Sequence, residues 1–220
     1  MFTPEVTKMI IRGIGETLYM TGFSTLFGYV LGLPWGVMLA VTDKDGLKPN
    51  RVIYRVLDFI TNIMRSVPFL IMLILLIPFT RAIVGKSYGS TAAIVPLTIS
   101  AAPFIARMVE SSLKEVDHGV IEAAQSIGAG IMQIITKVML VEGRVSLING
   151  LSIAFGTILG YTAMAGILGA GGLGDIASRY GYYRYQTDIM IVTVILLILL
   201  VQIFQLIMGR IAFSLDKRHS

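Results

Sequence analysis

Few side chains in this sequence combine the type and the spacing that chemistry needs. The segment Gly166-Ile167-Leu168-Gly169-Ala170-Gly171-Gly172-Leu173-Gly174-Asp175 comes nearest, because glycine-rich loops can cradle phosphate. It lacks the Gly-Lys-Ser/Thr ending that brings an amine to the phosphates and a hydroxyl to magnesium. It therefore reads as irregular backbone, where glycine permits unusual dihedral angles. The two histidines, His118 and His219, lack metal-ligand spacing to each other. No Ser/His pair lies at membrane depth, as intramembrane proteolysis would need. Cysteine is absent, which removes disulfides, thiolate nucleophiles and thiolate metal sites together. No catalytic residue, metal or cofactor is expected on this chain.

What the residues do encode is a surface. Asp117 can accept the orphan N–H groups of a helix start, and Gly128 can take the left-handed conformation that ends one. The two predict a helix over 118–127, with Val120, Ile121, Ala124 and Ile127 as one apolar stripe. So short a helix is unstable alone in water and must lie against something. Glu122, Ala123, Ala124 and Gly128 form its core.

The elements around it are membrane spans. The chain has 220 residues, 55% of them hydrophobic, a composition soluble domains rarely carry. Five segments are long enough to cross ~30 Å of hydrocarbon, over 17–41, 59–79, 91–108, 145–167 and 189–208. The expectation is one all-α polytopic domain over 1–220, embedded in membrane lipid. No cleavable signal peptide is read at the start, so the first span is expected to act as the targeting signal. Thr3 and Pro4 suggest a short helix of its own before span one. Eleven Lys and Arg fall in the 42–58 and 107–144 loops and the tail, against six in the arm and the other two loops. The positive-inside rule then places the N-terminus outside, the C-terminus in the cytoplasm and the 118–127 helix in the cytoplasm. No basic run with interleaved aromatics points to nucleic acid.

Two residues at membrane depth stand out. Arg65 precedes Ser66-Val67-Pro68-Phe69 inside an apolar segment and needs either an acid, Asp58 or Glu110, or a position at the surface. Met164 ends a four-residue repeat, Ser152, Gly156, Gly160, Met164, that forms one helix stripe. Its adaptable thioether is a candidate for a pathway gate. The polar Asn149, Thr157, Thr162, Gln202 and Gln205 suit hydrogen bonds between helices. No intramembrane chain of Asp, Glu and His exists, which weighs against a stand-alone proton-coupled secondary transporter.

Glu122-Ala123-Ala124 with Gly128, followed by Val138-Met139-Leu140, resembles the loop by which the permease subunits of bacterial ABC importers meet their ATPases. Arg65–Phe69, Ile77–Arg81, Ala93–Thr98, Ala101–Glu110 and Gly169–Gly174 resemble the methionine-importer type of that family. The resemblance implies the type I importer fold in the bacterial inner membrane and a non-catalytic chain. It also implies a second copy of the chain, an extracytoplasmic binding protein, and two ATP-binding subunits that hold ATP and Mg. Coupling then falls to Glu122, Ala123, Ala124 and Gly128. The implied cargo is methionine, its D-form included; another amino acid or small polar solute is the alternative. The family loop ends Ile-x-Leu-Pro, where this chain has Val138-Met139-Leu140-Val141. The missing proline leaves the bend into span four to Gly143.

Overall fold

The structure is a computed structural model that describes residues 3–216, so Lys217, Arg218 and His219 fall outside it. Every regular element among the described residues is helical. Helix α1 runs Pro4–Thr42, α2 Arg51–Ser66, α3 Phe69–Leu75, α4 Ile77–Val84 and α5 Ser90–Lys114. The loop helix α6 is His118–Ser126, followed by α7 Ile131–Ile134, a π-helical turn Ile135–Met139 and α8 Leu140–Glu142. Then come α9 Arg144–Ile167, α10 Gly172–Ile176, a second π turn Ala177–Tyr182, and α11 Thr187–Leu215. Helices α1, α5, α9 and α11 are each long and apolar enough to cross a membrane. The bent pair α2 and α3 brings the number of candidate spans to five.

Three expectations change. The N-terminal arm is not a separate helix: nothing between Pro4 and Thr17 breaks the ladder, and α1 runs unbroken for 39 residues. Thr3 still caps it, its hydroxyl accepting from Val6 N at 3.4 Å. The predicted span 59–79 is broken at Val67-Pro68, where the chain turns by 99°. A residue before proline is pushed out of the helical region, and that local clash overrides the continuous apolar run. The helix of the third span continues past 108 to Lys114, and its Arg107, Glu110 and Lys114 are ion-paired there.

The described residues cluster into two compact units, one within 1–28, 67–101 and 154–205, the other within 29–66, 102–153 and 206–220. The first has a core of Met20, Phe69, Leu73, Ala93, Leu97, Ala165 and Ala170. There the Phe69 and Tyr161 rings stack at 4.5 Å. The glycine loop also belongs to this unit. Its backbone takes positive φ at Gly169, Gly171 and Gly172. Its amides are already spoken for: Gly172 N donates to Glu16 Oε2 at 2.8 Å and Leu173 N to Thr17 Oγ1 at 2.9 Å. The loop grips the protein's own carboxylate where a phosphate loop would hold a ligand's anion.

In the second unit α1 and α5 pack at close range. A Cβ at Gly36 would come within 2.6 Å of the Val109 side chain, so only glycine lets the backbones meet there. Leu39, Ile105, Val109 and Leu113 are buried around that contact. Ser146 donates to Ser112 at 3.0 Å, and Arg144 donates to the Leu215 carbonyl at 2.7 Å, tying the start of α9 to the ends of α5 and α11.

Candidate functional site, an exposed loop helix and its mount

Helix α6 is made by its two ends. Asp117 Oδ1 accepts from Gly119 N at 2.7 Å, satisfying one of the orphan donors of the first turn. At the other end Gly128 sits at φ +80°. Gly128 N donates to Gln125 O at 2.9 Å and Ala129 N to Ala124 O at 3.1 Å, the paired bonds of a Schellman stop. The helix ends at Ser126, one residue short of the sequence expectation.

No residue of α6 is buried. The expected apolar stripe divides in two. Ile121 and Ala124 are half-buried, whereas Val120 and Ile127 are exposed, Ile127 to 86%. Glu122, Ala123 and Gly128 are exposed. Met132, at 70% exposure, extends the open apolar surface beyond the stop. A helix that is capped at both ends yet buries nothing is built for contact with something outside the chain.

Its mount is a chain of charges. Glu110, 2% exposed, is the centre. Its carboxylate takes Lys114 Nζ at 2.7 Å, Arg107 Nη1 at 2.6 Å and the Tyr54 hydroxyl at 3.1 Å. Lys114 continues to Asp43 at 2.7 Å, and Arg107 to Asp58 at 2.5 Å and Asn62 at 3.0 Å. Helices α2 and α5 and the end of α1 are thereby fixed to one another just before the chain enters α6. The buried carboxylate is tolerated because each oxygen meets a cation. Burial raises the Asp43 carboxyl, but the Lys114 ammonium and the Lys44 amide outweigh it, and the group lies below its ordinary value. A cavity of about 300 Å³, lined by Asp43, Lys114, Ile121, Glu122 and Gln125 among others, separates this mount from α6.

The mount reassigns Arg65. Arg107, not Arg65, joins Asp58 to Glu110; the Arg65 side chain is exposed, with no ion pair among the described residues. The signal was in the sequence: Arg107, Glu110 and Lys114 lie three and four residues apart, on one helix face. Met164 is 45% exposed on α9. It does not share one contact with its repeat: Gly156 packs near Val201 of α11, and a side chain at Gly160 would meet nothing. Val141 lies in α8, directly after the π turn 135–139. There Leu140 N reaches back to Ile135 O, and Gly143 N to Met139 O at 2.9 Å.

A polytopic helical membrane domain that presents a capped loop helix is the architecture of a transport permease. Residues 32–218 match the family described as binding-protein-dependent transport system inner membrane component, and the chain belongs to it. It is 49% identical over 212 residues to the probable D-methionine transport system permease protein MetI of Vibrio cholerae, covering 96% of this chain and 94% of that one. It is 52% identical over 158 residues to the D-methionine transport system permease protein MetI of Escherichia coli K12, covering 72% and 73%. Its fold matches a chain of the MetNI methionine ABC transporter in an inward-facing conformation with a TM-score of 0.97. That match has 47% identity and covers 98% of this chain and all of the other.

Proposed function

We propose that this chain is the permease subunit of an ATP-driven methionine importer. Two copies form the translocation pathway, two ATP-binding subunits hold ATP and its magnesium, and an extracytoplasmic protein delivers the amino acid, L or D. Helix α6 is the coupling surface. Glu122, Ala123, Ala124 and Gly128 seat in the ATP-binding subunit on the cytoplasmic side, with the N-terminus outside and the C-terminus inside. Met164 is the pathway gate. The observation that carries this reading is α6 itself, rigidly capped, unburied, and mounted on a paired charge cluster that can pass its displacement into α1, α2 and α5. A partner can bias the two access states only through contacts that differ between them, and α6 offers such a contact.

The test is reconstitution with the cognate ATP-binding subunit and binding protein in vesicles. Methionine should accumulate only with ATP, and Gly128→Asp should abolish both accumulation and co-purification of the ATP-binding subunit. Uptake by the chain alone would instead make it a secondary transporter. ATP-dependent uptake of a different amino acid, with methionine ignored, would retain the permease and reject the cargo.

A further inference from the structure

Thr80 of α4 is 3% exposed, and its hydroxyl has no hydrogen-bond partner among the described residues. Thr21, Thr61 and Thr193 are also buried, and each turns its hydroxyl back to the carbonyl four residues earlier, at 2.7 to 2.9 Å. Thr80 does not, although its own amide donates to the Leu76 carbonyl at 2.8 Å. Folded proteins rarely leave a buried hydroxyl unpaired. A second polar group beside it shares the difficulty. Pro96 lies inside α5. It has no N–H for the Ala92 carbonyl four residues back, and its ring crowds that oxygen. In a membrane-spanning helix a carbonyl freed by proline is satisfied by a neighbouring side chain or an ordered water.

Thr80, Ala92 and Pro96 line one cavity of about 20 Å³, at the foot of the 85–89 loop that joins α4 to α5. Ser87 of that loop borders it too, and most of the remaining wall is apolar, with Leu73 and Ala165 among its residues. Size and chemistry choose the occupant. One water takes ~10–15 Å³ of such space, so the cavity admits a single water and excludes an amino acid. A buried water needs about two to four polar partners, and the Thr80 hydroxyl, the Ala92 carbonyl and the Ser87 hydroxyl are of that kind. A hard cation calls for about six or more oxygens, more than these groups give.

We propose that this cavity is a site for one structural water. The water donates a hydrogen to the Ala92 carbonyl and accepts one from the Thr80 hydroxyl, with the Ser87 hydroxyl as a further partner at the rim. It thereby closes the gap that Pro96 opens in the α5 ladder and ties α5 to α4. The same corner holds the glycine loop. Gly89 N donates to Gly169 O at 2.9 Å, and Ser90 Oγ donates to the carbonyl of Ala170, another residue of the cavity wall, at 3.1 Å. The water therefore sits beneath the segment that Glu16 and Thr17 clasp from the other side of the sequence.

The direct readout is an electron cryo-microscopy map of the assembled transporter in lipid nanodiscs, at a resolution that shows ordered waters. The parent chain should show a density peak about 2.7–3.2 Å from both Thr80 Oγ1 and Ala92 O. No peak there, or a Thr80 hydroxyl turned back onto the Leu76 carbonyl, overturns the proposal. Substitution gives a second reading, by sign. Thr80→Val in the full-length chain in detergent should lower the thermal unfolding midpoint by roughly 2–6 °C, because the water loses a partner and the Ala92 carbonyl loses the water. A raised midpoint would mean that valine had only removed an orphan hydroxyl, and it would overturn the site. Pro96→Ala returns a backbone donor to the Ala92 carbonyl, so Thr80→Val should lose its penalty in that background. An equal fall in both backgrounds would detach the water from Ala92 and overturn the bridge.

Discussion

Helix α6 and the segment 166–176 both place a short helix beside a glycine of positive φ, and the structure uses them in opposite ways. No side chain of α6 is buried, and Ile127, just past its end, is 86% exposed. In α10, Gly172, Leu173, Gly174 and Ile176 are all buried. The amides of the first are satisfied by its own cap and stop; those of the second are satisfied by Glu16 and Thr17, more than 150 residues away in sequence. Glycine chemistry alone does not separate a docking element from an internal clasp. Where the backbone donors go, and whether the apolar side chains find cover, does.

That contrast sets the expected effects of substitution. The largest belongs to the mount: Glu110→Ala leaves Arg107 and Lys114 without their shared carboxylate. It should lower stability by about 3–5 kcal/mol, read as a fall in the thermal unfolding midpoint in detergent. Leu173→Ala, at a fully buried site of the clasp, should cost about 2–5 kcal/mol in the same assay. Thr17→Val, which removes the acceptor of Leu173 N, should cost about 1–3 kcal/mol. Ile127→Ala should change stability by less than about 0.5 kcal/mol while weakening capture of the ATP-binding subunit. An Ile127→Ala chain as unstable as Leu173→Ala would erase the contrast. Acid should act through Asp43. Its carboxyl is lowered in the fold, so its contribution is complete above the ordinary carboxylate value and fades as pH falls through the lower, folded one. The midpoint gap between the parent chain and Asp43→Asn should therefore close on acidification, with the parent always the more stable at neutral pH.

How much of this was legible before the fold varies by element. The loop helix was readable almost to the residue, because Asp117 and Gly128 are local signals whose physics needs no tertiary context. The break after Ser66 was not, because the hydropathy of 59–79 averages across Val67-Pro68 and hides a single-residue steric effect. How far α5 runs, to Lys114, is not legible in sequence, since the partners of Arg107 and Glu110, Asp58 and Tyr54, lie about 50 residues earlier. The same gap led from Arg65 to acids that Arg107 in fact holds. Spacing on one helix is visible in sequence; which helix lies opposite is not. The grip of Glu16 and Thr17 on the glycine loop had no sequence signal at all, since it joins two distant segments through ordinary side chains.

A nucleotide-hydrolysing partner is expected to take hold of the unburied face of α6. The direct measurement is a photo-crosslinker on a single cysteine at position 127, in membranes that hold the assembled transporter. The expected result is one protein adduct, to the ATP-binding subunit, lost when Gly128 is replaced by Asp. Adducts confined to lipid, or to the extracytoplasmic protein, would contradict it.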